Sequence, residues 1–201
     1  EDKALWGDYK ISFWDLFPEI SVTGYPETLP EPNGHGQIPI DTLRKYSTII
    51  WTGENNSTEI AHWNNSPLLR YVQMGGNAFL ILKNGKEYIN EDLLERLGIS
   101  WNEESSTQIR NCIPVRSDLD TMSITTGQYL SAVFNTNFST SSSQLLFTDT
   151  ESFKIPVGVG VWNKPEYGGW YRKKGGQLIL LSGRGYRYDS EDLRKNMEFM
   201  L

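Results

Sequence analysis

The chain has 201 residues, with 19 Lys and Arg against 25 Asp and Glu, for a formal net charge of −6. That balance excludes a general binder of nucleic-acid backbone, which needs a basic face. One Cys excludes an internal disulfide, and one Cys with two His cannot build a structural zinc cluster. The longest apolar runs, about five residues, are too short to cross a bilayer as a helix, so no membrane insertion is expected. A chain of this length can bury about 70% of its unfolded surface. One domain over residues 1–201 is therefore expected, whole or as a fragment of a longer chain. Seven Trp, ten Tyr and eight Phe are an unusual load, and Asn-x-Ser/Thr sequons stand at Asn55, Asn56, Asn64 and Asn137.

Along the chain, Tyr9 to Trp14 alternates and is aromatic-rich, which predicts a strand. The Pro and Gly density over residues 18–39 predicts no regular structure there. Pro39 to Leu43 suits one short helical turn. Ser47 to Thr52 is β-branched and apolar on both faces, as buried parallel strands are. A helix carrying Ile60, Ala61 and Trp63 is expected next. It restarts at Ser66-Pro67 and stops at Gly75-Gly76 through a left-handed cap.

Asn77 to Leu82 is a second buried strand, and Asn90 caps a helix over residues 91–97 with acidic residues in its first turn. Strand, helix, strand, helix predicts a layered α/β sheet. Over about residues 99–150, short β-leaning pieces near 109–115, 129–134 and 144–147 predict a β-rich insertion. Residues 155–162 and 177–182 read as two further strands. Asp189 or Ser190 caps a last helix with Leu193, Met197 and Met200 as its core stripe.

The order Tyr46 to Gly53, helix, Gly75-Gly76, Asn77 to Leu82, together with the ending Gly175-Gly176, Gln177 to Ser182 and Arg184 to Arg187, resembles a class I glutamine-amidotransferase-like domain. The matching pieces cover about residues 44–98 and 155–201. The resemblance implies an α/β fold of flavodoxin-like layout, a layered and mostly parallel sheet flanked by helices. It does not imply the reaction. Active members place a nucleophile directly after the central strand, where this chain reads Lys83-Asn84-Gly85, and the loop 184–187 carries neither the His nor the Glu. The family's opening strand and helix also have no counterpart here, so the expectation is either a fragment of a longer chain or a partner that supplies the missing strand.

Cys112 lies in a β segment and reads as a small buried residue. His35 and His62 have no acid at triad-like spacing. Asp118-Leu119-Asp120 lacks the ligand set of a calcium loop, and Asp189 to Asp192 is explained by helix capping. No glycine-rich phosphate loop is present, so neither metal nor cofactor is expected. Where parallel strands end, polar ligands bind. Glu54 and Asn55 follow one strand, Lys83 and Asn84 the next, and Arg184, Tyr186 and Arg187 the last, so these would line one rim. Trp162 and Trp170, with Tyr167 and Tyr171, form a separate aromatic cluster of the kind that stacks on sugars.

The sequence therefore predicts a non-catalytic accessory or interaction module of a larger, exported bacterial protein, at the cell surface or outside the cell, with a cytoplasmic setting also compatible. Its partners would be other domains of the same polypeptide or another protein. Two alternatives stand beside this: a carbohydrate-binding module using the platform at Trp162 and Trp170, with a glycan as partner, and a hydrolase or amidotransferase whose site is assembled only in space.

Overall fold

The computed structural model describes residues 9–17, 31–53, 63, 65–83, 85–90, 101–102, 107–130, 133–134, 143–149, 156–161 and 176–200. Strands are β1 (Phe13–Asp15), β2 (Pro32–His35), β3 (Thr48–Gly53), β4 (Asn77–Leu82), β5 (Trp101–Asn102), β6 (Thr107–Pro114), β7 (Met122–Leu130), β8 (Val133–Phe134), β9 (Ser143–Thr148), β10 (Pro156–Val161) and β11 (Leu178–Ser182). Helices are α1 (Ile40–Leu43), α2 (Asn65–Gln73), α3 (Gly85–Tyr88) and α4 (Ser190–Met200).

β4 and β11 are apolar at nearly every position because both faces of the sheet are covered. Their side chains alternate between those faces. Ala78, Leu80 and Leu82 join Leu178 and Leu180 on one side, with Leu68, Tyr71 and Val72 of α2 and with Trp51, Trp63 and Tyr88. Phe79 and Ile81 join Ile179 and Leu181 on the other, with Leu193, Met197 and Met200 of α4 and with Ile109, Cys112, Met122, Phe147 and Tyr188. α2 stops as its sequence predicts: Gly75 takes φ +104°, and the amides of Gly75 and Gly76 return to the carbonyls of Val72 and Tyr71. At the other end of the chain, Asp189 caps α4, its Oδ1 accepting from the amides of Glu191 and Asp192 at 3.0 and 3.1 Å.

Seven strands form the main sheet in the order β3-β4-β11-β10-β9-β6-β7. Only β3–β4 and β4–β11 are parallel; the other four pairings are antiparallel. This corrects the expected fold class. The chain is not a layered, mostly parallel flavodoxin-like sheet flanked by helices, but a β-rich, mixed sheet curled into a half-barrel. The segments expected to form a β-rich insertion, within residues 107–130 and 143–148, are instead consecutive members of that sheet. The error has a physical source. A buried strand preceded by a Gly-Gly turn looks the same locally whether its further neighbours run parallel or antiparallel.

The curl is visible where one edge folds back toward the middle of the sheet. β7 is the far edge of the sheet, yet Ile124 bridges Tyr188, just past β11. The Asp189 amide donates to the Ser123 carbonyl at 2.8 Å, and the Thr125 hydroxyl to the Arg187 carbonyl at 3.1 Å. Buried Asn196 of α4 holds the turn before β7 from both sides, accepting from the Asp120 amide and donating to its carbonyl. A second correction concerns the N-terminal stretch. The predicted strand over residues 9–14 is shorter, and it pairs in parallel with β2, inside the stretch expected to lack regular structure. Pro32 is compatible because it opens its strand. Of the helix expected to carry Ile60, Ala61 and Trp63, residues 57–62 lie outside the described residues and Trp63 is buried without helical structure, while the helix expected over 91–97 lies wholly outside them.

Candidate functional site

The parallel strands β3, β4 and β11 end side by side, stitched at the rim by the Lys83 amide on the Gly53 carbonyl (3.0 Å) and the Gly183 amide on the Leu82 carbonyl (2.8 Å). Gly183 has φ +108°, which lets the chain turn sharply out of β11. Residues Gly185–Arg187 then make a single 3₁₀ turn, closed by the Arg187 amide on the Arg184 carbonyl at 3.0 Å. Arg184, in extended backbone just before the turn, and Arg187, at its end, both reach the ring of Tyr186. Their guanidinium carbons stand 5.9 and 5.7 Å from the centre of the Tyr186 ring, within cation–π range. Both arginines are half-buried, while Tyr186 is 52% exposed.

The turn is fixed from below. Tyr188 is fully buried and its hydroxyl donates to the Ser182 carbonyl at the end of β11. Burial, reinforced by the nearby Cys112 and Asp149, pushes the Tyr188 phenol well above its ordinary value, so it remains a neutral donor. Gly185 rests over Ile81 and Thr52, near the ends of β4 and β3. The arginine–tyrosine–arginine cluster is thus held between a sheet end, a buried tyrosine and a capped helix. Guanidinium forks can pair with carboxylate or phosphate, and the exposed phenol supplies a flat apolar face.

Of the residues expected at the rim, Lys83, Arg184 and Tyr186 stand at the strand ends, Lys83 half-buried. Glu54, Asn55, Asn84, Trp162 and Trp170 lie outside the described residues. Cys112 is fully buried, and burial together with Asp149 pushes its thiol well above the ordinary value, which keeps it a thiol rather than a thiolate nucleophile. Among the described residues no group of three or more His, Cys, Asp and Glu is placed to hold a metal.

A histidine–acid pair went unrecognised in the sequence. His35 Nδ1 lies 3.8 Å from Asp15 Oδ2 and 3.2 Å from the Phe17 carbonyl. Asp15 is buried and accepts from the Phe17 amide at 2.9 Å, while Trp14 Nε1 donates to the Gly36 carbonyl at 2.9 Å. These contacts clip β1 to β2. Twenty residues separate the two side chains, and only the parallel pairing inside a Pro- and Gly-rich stretch brings them together.

A curled mixed sheet defines a β-rich domain. No family model matches the chain, and no curated protein matches it. Among solved structures it is similar to one described as "mmIFT52 N-terminal domain", with a TM-score of 0.51 and 14% identity over 83% of this chain and 81% of that one. At that identity the likeness shows a shared fold and no more. It corrects the family resemblance: that neighbour is a mostly-β domain, and nothing found supports an amidotransferase-like or flavodoxin-like assignment. The support that the resemblance lent to a secreted setting goes with it. Among the described residues no helix is long and apolar enough to cross a membrane.

Proposed function

We propose that this chain is an interaction module that docks an acidic protein segment on the rim formed by Lys83, Arg184, Tyr186 and Arg187. The observation that carries the reading is the pair of guanidiniums flanking one exposed phenol at 5.9 and 5.7 Å, on a turn anchored by buried Tyr188. A cationic spot on a chain of net charge −6 selects for local negative charge and does not attract polyanions at large. Half-buried arginines lose less freedom on binding than free surface lysines do, so their pairing with carboxylates is more productive. The fold also occurs as an N-terminal domain of another protein, which supports reading it as a module.

Fluorescence anisotropy with a fluorescein-labelled hexaglutamate peptide tests the reading. Saturable binding that weakens with salt is expected. Arg184→Gln or Arg187→Gln should each weaken it about tenfold, the equivalent of one charge-assisted hydrogen bond of roughly 1.5 kcal/mol. Equal binding by the Arg184→Gln/Arg187→Gln variant overturns the reading, as does the absence of binding at low salt.

A further inference from the structure

Outside the main sheet, β1 and β2 pair in parallel, and the pairing is uneven. Phe13 is level with Pro32 and Asp15 with His35, so two steps along β1 face three along β2. The extra residue makes a bulge at Asn33-Gly34, and a bulge leaves a residue out of the ladder and bends its strand. Asn33 is exposed, and its carboxamide is lightly held. Nδ2 reaches the Tyr46 hydroxyl at 3.4 Å, beyond the usual range of such a bond. Gly34 brings no side chain of its own, and a Cβ there would run into the Trp14 ring. Two residues on, the Gly36 amide donates to the Asp15 carbonyl at 2.8 Å, and the Gly36 carbonyl accepts from Trp14 Nε1 at 2.9 Å. These bonds, with His35 beside Asp15 at 3.8 Å, clip the two strands together.

We propose that Asn33 is a self-modifying site: it deamidates through its own neighbour, and the product unclips β1 from β2. The Gly34 amide nitrogen gives up its proton to hydroxide and attacks Asn33 Cγ. A C–N bond forms, the bond from Cγ to Nδ2 breaks, and Nδ2 takes a proton from water and leaves as ammonia. Water then opens the five-membered imide at one of its two carbonyls. Breaking the new bond gives aspartate; breaking the original peptide bond gives isoaspartate, with the chain rerouted through the former side chain. Water is the one co-reactant. The attack needs the Asn33 backbone to leave the extended form, which a continuous ladder resists and a bulge does not. A glycine at the next position puts no Cβ in the way. Either product adds a negative charge at position 33. Isoaspartate also inserts a methylene into the backbone just before Gly34. With Gly34 packed on Trp14, that added length moves Gly36 off the Asp15 carbonyl.

The test incubates the whole chain at pH 8, folded in buffer and unfolded in guanidinium chloride, and follows the tryptic peptide of residues 11–44, in which Asn33 is the one asparagine. In the folded chain this peptide should gain the mass of deamidation at a rate within about tenfold of the unfolded rate. The product should be a mixture of aspartate and isoaspartate, told apart by electron-transfer fragmentation. In the isoaspartate fraction the Gly36 amide should lose its protection from hydrogen exchange, while the amides of β4 and β11 keep theirs. Asn33→Gln keeps a carboxamide but must close a larger ring, so it should stay unmodified. Protection of Asn33 beyond that factor in the folded chain overturns the proposal. So does aspartate formed without isoaspartate, or a mass gain that persists in Asn33→Gln. An isoaspartate chain whose Gly36 amide is still protected overturns the unclipping.

Discussion

Gly176→Ala is expected to be among the most damaging single-methyl additions in the molecule. Gly176, just before β11, is pressed against the Gly75-Gly76 turn before β4. A Cβ on Gly176 would stand 1.7 Å from the Gly76 carbonyl oxygen, 2.3 Å from its carbon and 2.9 Å from the Gly75 carbon. These are backbone atoms and cannot rotate aside. Real Cβ atoms essentially never approach closer than 3.0 Å, so the two segments must part by more than 1 Å.

That movement pulls on three hydrogen bonds that join the segments: the Gly176 amide to the Val72 carbonyl (2.7 Å), the Ala78 amide to the Gln177 carbonyl (2.9 Å) and the Gln177 amide to Asn77 Oδ1 (3.1 Å). Losing two or three of them costs about 1 kcal/mol each, and overpacking adds roughly 1–3 kcal/mol. The expected loss of about 3–6 kcal/mol is a large part of the ~5–15 kcal/mol that holds a typical domain folded. Urea unfolding followed by tryptophan fluorescence reads it as a lower midpoint at unchanged slope. Gly185→Ala is the control, because its nearest atom, Ile81 Cδ1, is at an ordinary 3.5 Å, and it should cost less than about 0.5 kcal/mol. If Gly176→Ala costs less than about 1 kcal/mol, or no more than the control, the close approach of Gly176 to that turn is refuted.

Three other outcomes follow from the buried groups. Tyr188→Phe removes the hydroxyl that donates to the Ser182 carbonyl. It should lower stability by about 1–2 kcal/mol in urea melts, the cost of leaving a buried acceptor unpaired. Cys112 should react with a thiol reagent only at the rate at which the protein opens, and fully in urea; rapid labelling of the folded chain would contradict its burial. Stability should also fall at alkaline pH. Burial pushes the Tyr71 phenol up to about 12, and the Tyr188 phenol and Cys112 thiol well above their ordinary values of 10.0 and 9.0. The folded chain holds these protons while the unfolded chain releases them. The contribution is therefore complete below pH 9 and is lost as pH rises from about 9 toward 12. A urea midpoint that stays flat from pH 8 to pH 11 would contradict this.

The elements legible in the sequence were those specified locally. β4 and β11 announce themselves by unbroken apolar runs between Gly-Gly turns, and α2 and α4 by a proline, a cap and a stop. Partner choice was not legible, because it is not local. β6 pairs with both β7 and β9, and nothing in the run 107–114 tells how many strands separate it from β4 in the sheet. Sheet class therefore came out as mostly parallel when four of the six pairings are antiparallel. The rim was half legible. That Lys83, Arg184 and Tyr186 follow strand ends could be read from the strands, but the convergence of Arg184 and Arg187 on one phenol depends on a 3₁₀ turn with no sequence signature. The Asp15–His35 pair depends on the parallel register of β1 with β2, where prolines and glycines erase the usual strand pattern.

The rim as a docking surface is tested most directly by mapping amide chemical shifts of the isotope-labelled chain during titration with the hexaglutamate peptide. The account predicts shifts that saturate and centre on Lys83 and residues 183–187, with the Thr52 amide at their margin and α4's outward face silent. Shifts scattered over the surface without saturation, or centred away from the carboxyl ends of β3, β4 and β11, would contradict it.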